Sequence, residues 1–322
     1  MSATIRRTRF FASALTAVAL LAGAACSSGE AAEPDAATAA GYNLTAEQNR
    51  ITTDEVPDIA AKVPQAIRDR GTLIVTGSAG TAPPLRFYAD DDKTIIGSET
   101  DIAYLIGDVL GLDIELTAAD WAQNFVRIDS GEADTFISNV TVTEERKEKY
   151  DFATYRLDSL AVEVKKGSDI TFSGPKDIAG LKIGVGSGTN QEALLVEWNE
   201  QNVAAGLEPA EILYYQQATD YYLALGSGRI DAYVGPNPSS SFHALQTGET
   251  EVAGTFSGAG LGLQGEIAVL TKKDNGLVGA IHEALNHLIE NGAYAQVLER
   301  WGIQTEALDA SEINPPGLPK KQ

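Results

Sequence analysis

Two stretches of this chain concentrate groups able to hold a small anion. The first is Ser138-Asn139-Val140-Thr141-Val142-Thr143, followed by Glu144, Glu145 and Arg146. Hydroxyls and an amide precede an arginine whose planar fork matches a carboxylate with two parallel hydrogen bonds. Thr143 and the acids after it suit a helix start, where the dipole disfavours a cation, so a bound carboxylate would give Arg146 a reason to be there. The second stretch is Gly184-Val185-Gly186-Ser187-Gly188-Thr189-Asn190, which follows a strand pattern and opens a helix carrying Leu194, Leu195 and Trp198. Glycines let backbone N–H groups point at an anion, and a helix N-terminus favours negative charge. The run lacks the Gly-Lys-Ser/Thr of a phosphate-binding loop, and Thr189 breaks the dinucleotide pattern. Each stretch also has a plainer reading. The glycine run fits a Thr- or Asn-capped helix entered by a tight turn, and the charges from Glu144 to Lys149 fit a solvated face.

The elements that must position these loops alternate between strand and helix. Val56, Ile59, Val63 and Ile67 are spaced as a short helix ended by Gly71, and Thr72-Leu73-Ile74-Val75 follows as a strand. Ile102, Leu105, Ile106, Val109 and Leu110 form a helix face stopped by Gly111. Leu112 to Leu116 alternates as a strand, Trp121 to Ile128 is helical up to Gly131, and Asp134 to Ile137 is a short strand. The alternation predicts α/β lobes with largely parallel sheets.

The chain also repeats itself. Gly71 to Thr81 resembles Gly180 to Thr189, and Ser130-Gly131…Asp134…Ser138-Asn139 resembles Ser227-Gly228…Asp231…Pro236-Asn237. Two matches in the same order, about a hundred residues apart, point to two lobes of similar build. In open α/β sheets ligands sit beyond the carboxyl ends of the strands. That rule selects four loops for one cleft: 78–84, 138–143, 187–191 and 235–239.

The first residues are of another kind. Arg6, Arg7 and Arg9 precede an apolar run from Phe10 to Ala25, which reads as an export signal too short for a confident membrane span. The run ends at Ala24-Ala25-Cys26-Ser27-Ser28, which resembles a bacterial lipobox with Gly23 where leucine is usual. Cys26 is the only cysteine, so lipidation there is expected and an internal disulfide is excluded. The net charge of −21 becomes more negative once the three arginines are removed, which disfavours nucleic acid as a partner.

Taken together, several of these motifs resemble the family 3 extracellular solute-binding proteins, the receptors of polar amino acid ABC importers. The resemblance runs through Asp120-Trp121, Ser130-Gly131…Asp134, Ser138 to Arg146, Asp151-Phe152-Ala153-Thr154-Tyr155, Ile183 to Thr189, Ser227 to Ala232 and Gly292 to Gly302. It implies a type II periplasmic-binding-protein fold, with two α/β lobes closing on a ligand and the closed form read by a membrane permease. Arg146 matches the arginine that grips the ligand α-carboxylate, opposed by Ser187, Thr189 and Asn190 of the other lobe. Asn139, Thr141 and Asn237 would add polar contacts, and Trp121 matches an aromatic that packs on the ligand. Two positions depart from the pattern. Pro236 stands where an aspartate often accepts bonds from the ligand ammonium, and Ala82 where a second aromatic is common. Phe87, Tyr88, Tyr155 and Tyr233 could restore aromatic lining, and each is also readable as core.

The layout expected is an export signal over 1–25, a flexible tether over 26–55, a first lobe from 56–157 and 267–306, a second from 158–266, and a tail over 307–322. A monomer without metal or cofactor, tethered by lipid at Cys26 and binding an amino acid or related carboxylate, is the expectation. A receptor feeding a membrane signalling protein would share the mechanism. An enzyme on this fold, such as a dehydratase, would need acid–base groups. His282 and His287 are five apart on one helix and cannot share a metal, and His243 stands alone.

Overall fold

In a computed structural model of the protein, residues 38–39 and 41–320 are described; Cys26 and the export signal lie outside them. Nine strands make the central sheet: β1 Thr72–Gly77, β2 Asp113–Ala118, β3 Thr135–Phe136, β4 Tyr150–Lys165, β5 Lys182–Val185, β6 Glu211–Tyr214, β7 Ala232–Pro236, β8 Thr250–Ser257 and β9 Gly265–Lys272. The main helices are α1 Ser98–Leu110, α2 Trp121–Ser130, α3 Asn190–Ala204, α4 Ala218–Gly226, α5 Asn237–Thr247, α6 Val278–Glu290 and α7 Ala293–Arg300. Strand order is β6-β5-β7-β4-β9-β3-β1-β2, with β8 also on β4.

The long strand β4 joins two half-sheets. Its first part, from Tyr150 to Asp158, pairs antiparallel with β9, and its second, from Ser159 to Lys165, pairs antiparallel with β8. The changeover falls between Asp158 and Ser159, and the chain returns across the same level through residues 258–264. Each half-sheet has its own apolar core. One is built from α1, α6 and α7 around Leu73, Ile106, Leu285 and Trp301; the other is built around Ile183, Leu195, Trp198 and Phe256.

The internal repeat is visible as strand order. β1 lies between β2 and β3, and β5 lies between β6 and β7, all in parallel. The echoed aspartates do the same work in both halves. Asp134 Oδ2 accepts the Ile74 N–H and Asp231 Oδ2 accepts the Lys182 N–H, each at 2.8 Å. They splice the third strand of each unit to the first, so this pair of residues is structural.

Four expectations are corrected. The chain from Glu144 forms only a 3₁₀ turn, Arg146–Glu148, so no helix dipole acts on Arg146. The expected helix over 56–70 is split into Pro57–Ala60 and Gln65–Arg70, because Pro64 cannot continue the first turn's hydrogen bonding. The described stretch 41–55, expected within a flexible tether over 26–55, is ordered. Tyr42, Leu44, Ala46 and Ile51 pack on the first core, and Arg50 bonds Asp101 at 3.2 Å. At the other end the stretch from 307 is not a loose tail. Glu312 pairs with Thr154, Asn314 with Phe152, and Leu318 with Val142 through main-chain hydrogen bonds of 3.0 Å, and the Leu318 side chain enters the second core. Among the described residues no helix is long and apolar enough to cross a membrane.

Candidate functional site

The carboxyl ends of both half-sheets face a cavity of about 660 Å³. Its walls come from both halves. Ser78–Thr81, Trp121 and Asn139 stand on one side; Ser187, Thr189, Tyr215, Gln217 and Tyr233 stand on the other.

Two rims of this cleft are bridged. On one, the main-chain carbonyl of Gly188 accepts from Trp121 Nε1 at 3.0 Å and from Arg146 Nη2 at 3.2 Å. On the other, Ala218 N–H donates to the Gly80 carbonyl at 3.1 Å, and the Ser239 hydroxyl to the Ala82 carbonyl at 2.9 Å. The halves are therefore drawn together over the cavity. A Cβ at Gly80 would meet only the amide end of the Gln217 side chain, which faces it across the cleft.

The glycine loop after β5 is a capped helix start. Thr189 Oγ1 accepts the Glu192 N–H at 3.2 Å and donates to the Gly186 carbonyl, while the Glu192 carboxylate accepts the Gly188 N–H. Thr189 thus caps the helix, and Glu192 in its first turn reaches back past the cap to the residue before it. Gly188 has φ +75°, a left-handed conformation that turns its carbonyl to Trp121 and Arg146.

Arg146 lies outside the cavity wall. Its Nη1 donates to the Thr141 carbonyl at 2.9 Å, and its guanidinium lies over the Trp121 and Phe125 rings at 5.3 and 5.5 Å. Burial pulls its pKa down to about 10, with the Asp158 charge opposing. Thr141 also lies outside the wall, its hydroxyl donating to Asp158 Oδ2 at 2.6 Å. Asn237 opens α5 and accepts from Ser241, leaving Pro236 and Ser239 on that part of the wall. Trp121, Asn139, Ser187, Thr189 and Asn190 are brought to the cavity. Of the aromatic candidates, Tyr88 and Tyr233 reach it, whereas Phe87 packs on Trp301 and Tyr155 is buried against Glu99.

Beneath the cavity the changeover between half-sheets carries buried charge. Asp158 holds Thr141 on one side and Asn190 Nδ2 on the other, the latter at 3.3 Å; Asn190 also reaches the Gly258 carbonyl. Burial raises the Asp158 carboxyl above the usual range, with the Thr141 hydrogen bond and the Arg156 and Arg146 charges pulling the other way. Gly258 must lack a side chain, because a Cβ there would meet Asp158 Oδ2. Arg156 pairs with Glu306, bonds Asn139 Oδ1 and lies 3.6 Å from Glu99 Oε1. Burial lowers its pKa, but the charges around it, Glu306 foremost, leave it raised overall. Asn139 has φ +49° and is held in that conformation by Arg156 and by its own N–H on Glu99 Oε1 at 2.7 Å.

Sequence reasoning missed Glu99, Asp120, Tyr215, Gln217 and Tyr221, all on the wall. Asp120 follows β2, and Tyr215 to Gln217 follow β6, so the rule of strand ends applied to those two strands would have found most of them. Glu99 begins a helix after a hairpin, and no pattern marks it.

Residues 74–304 match the model of the bacterial extracellular solute-binding proteins, family 3. The chain belongs to that family. It is 32% identical over 236 residues to the L-cystine-binding protein TcyJ of Escherichia coli, covering 73% of this chain and 84% of that one. It is 32% identical over 268 residues to the arginine-binding protein ArgT of Corynebacterium glutamicum, covering 82% and 85%. A solved structure of an ancestral arginine-binding protein bound to arginine superposes with a TM-score of 0.63 at 29% identity, over 72% of this chain and 98% of that one. The type II periplasmic-binding-protein fold, two α/β lobes around a ligand cleft, is therefore the fold of this solute-binding protein.

Proposed function

We propose that this solute-binding protein captures an amino acid or a related small carboxylate outside the cytoplasm and delivers it to an ABC permease. One observation supports the reading above others: a cavity whose opposite walls come from the two lobes, with lobe-to-lobe hydrogen bonds on two rims. A site of this kind closes over its solute. Relatives named for arginine and cystine binding favour an amino acid. In this reading 56–157 and 267–306 move as one lobe and 158–266 as the other. Trp121, Asn139, Ser187, Thr189 and Asn190 touch the solute. Arg146 takes its carboxylate by exchanging the Gly188 carbonyl for it, while Thr141 and Asn237 stand behind.

The protein binds without turnover in this proposal, acts as a monomer, and is held to the membrane by lipid on Cys26. Cys26→Ser should release it into the medium, and gel filtration should give one chain per particle. The decisive experiment is a thermal-shift screen over the L-amino acids, L-cystine and small organic acids. A ligand at a hundred times its Kd stabilises by about 2.7 kcal/mol, well within detection. If none of them raised the melting temperature, the proposal would be rejected.

A further inference from the structure

Residues 42–53 lie ahead of the family match, which begins at 74, and they are fixed to the first lobe. The Asp90 N–H donates to the Leu44 carbonyl at 3.0 Å, Arg300 Nη1 to the Asn49 carbonyl at 2.9 Å, and the Thr53 N–H to Asp108 Oδ2 at 3.2 Å. Tyr42 stands at the head of this strap. Its ring leans on the buried Trp301, with centroids 5.6 Å apart, and its hydroxyl end lies against Gly302. The same ring stacks on Phe242, with centroids 5.4 Å apart and planes 14° from parallel.

Phe242 belongs to the other lobe. It is half-buried on α5, which packs on β7 and β8 of the second half-sheet. His243 beside it bonds Glu163 of β4 at 2.7 Å and stacks on Tyr222 of α4, so α5 moves with the second lobe. Ser239, three positions before Phe242 and on the same face of α5, makes the rim bond to the Ala82 carbonyl at 2.9 Å. One face of this helix therefore meets the first lobe twice, through a hydroxyl at the cavity wall and through an aromatic ring beyond it.

We infer that Tyr42 and Phe242 form a latch that holds the two lobes closed, so that a strap outside the family's matched span sets how tightly the solute is kept. The inference rests on the two-lobe receptor reading. Each ring is fixed to its own lobe, so opening the cleft carries Phe242 away from Tyr42. The stacking is then present only in the closed form, and an interaction made only there adds to the apparent affinity for the solute. An aromatic pair shifts such an equilibrium by about two- to tenfold beyond the area it buries. Neither residue lines the cavity, so both act as positioning residues on the lobes and not on the solute.

The test compares the full mature chain with Phe242→Ala, which leaves Tyr42 packed on Trp301. Small-angle scattering gives the radius of gyration without solute. Calorimetry gives Kd for whichever of the L-amino acids and L-cystine raises the melting temperature most. If the free wild type is mostly closed, the radius should grow in Phe242→Ala. If it is mostly open, the radius stays and Kd should rise about two- to tenfold through faster release. Tyr42→Ala should show the same loss, and Tyr42→Phe should behave as wild type because stacking needs only the ring. Tyr42→Ala/Phe242→Ala should be no worse than Tyr42→Ala alone. A folded Phe242→Ala protein with wild-type radius and wild-type Kd would overturn the inference, and so would additive losses in the double variant, since the rings would then act separately. If none of these solutes bound even the wild type, the receptor reading would fail; the radius alone would then judge the latch, and an unchanged radius would overturn it as well.

Discussion

Arg146 Nη2 donates to the main-chain carbonyl of Gly188 across the cleft at 3.2 Å, and Trp121 Nε1 donates to the same carbonyl at 3.0 Å. One oxygen of the second lobe thus gathers the two first-lobe groups most suited to gripping a solute carboxylate. A guanidinium with donors to spare can exchange a carbonyl for a carboxylate and gain a charged acceptor.

Arg146→Ala should therefore leave the fold intact and weaken binding of the amino acid found in the screen by about ten- to a hundredfold, the range of one or two charge-assisted hydrogen bonds. Calorimetry measures this. An unchanged Kd would remove Arg146 from both ligand binding and closure.

Trp121→Phe keeps a ring against Phe125 and Phe136 but deletes the indole donor to Gly188. Loss of a neutral hydrogen bond of this kind costs about 0.5–1.5 kcal/mol, so the loss of affinity should be smaller than in Arg146→Ala. Small-angle scattering on the ligand-free protein should show a larger radius of gyration than in wild type, because one bridge of that rim is gone. An unchanged radius would mean that Arg146 alone holds the rim.

Arg156→Met should be among the most destabilising single changes. It strands Glu306 and Glu99, both buried, and removes the donor that holds Asn139. Breaking one partner from a buried ion pair costs about 3–5 kcal/mol, whereas replacing both by apolar groups is far less harmful. Urea unfolding of Arg156→Met beside Arg156→Met/Glu306→Leu tests this, and equal stability in the two would contradict it.

The dependence on pH has a definite sign. Burial, the largest influence on both, raises the carboxyls of Asp158 and Glu306 above their ordinary values of 3.8 and 4.5. The folded protein then binds these protons more tightly than the unfolded chain. Their contribution to stability is full below the ordinary carboxylate range and fades as pH rises through the elevated folded values. Asp91 and Asp177 act oppositely and at lower pH, since backbone N–H groups of Thr94 and Ser173 hold their carboxyls down. Stability should thus fall as pH rises above the ordinary carboxylate range, and Asp158→Asn should flatten that slope. Urea midpoints across the range are the measurement, and an unaltered slope in Asp158→Asn would clear Asp158 of any part in it.

Much of this architecture is written in the chain, for identifiable reasons. The face formed by Ile102, Leu105, Ile106 and Val109 and the repeated Ser-Gly…Asp units are local patterns, so the helices, the strands and the doubled lobe could be read from them. The loops holding Asn139 and Thr189 followed from the rule of strand ends, and Trp121 from the family resemblance. What could not be read is long-range. Arg146 meets Gly188, forty-two positions away, only because β4 folds one lobe onto the other. Glu99 depends on Tyr155, Asn139 and Arg156, three groups brought to it by other strands. The ordered C-terminus escaped notice because a Pro- and Asn-rich segment has no periodicity, although its main chain can still pair with a neighbour.

That C-terminal segment should matter to binding as well as to stability. It braces the turn that carries Arg146: Glu144 N–H donates to the Leu318 carbonyl at 2.9 Å, Gly317 N–H donates to the Glu144 carboxylate at 2.9 Å, and Lys147 reaches the Pro315 carbonyl at 3.0 Å. Leu318 meanwhile packs into the core of the second lobe, so the segment spans both lobes beside the changeover strand. Ending the chain after Ala310 should lower the melting temperature and weaken ligand binding, because the Arg146 turn loses its support. Leu318→Ala separates the two effects. It removes buried apolar surface, at about 2 kcal/mol or more, yet keeps the main-chain bonds to Val142 and Glu144. It should therefore lower stability with little change in Kd. Equal losses of affinity in the truncated chain and in Leu318→Ala would show that packing on the second lobe, and not the bracing of Arg146, is how the segment reaches the site.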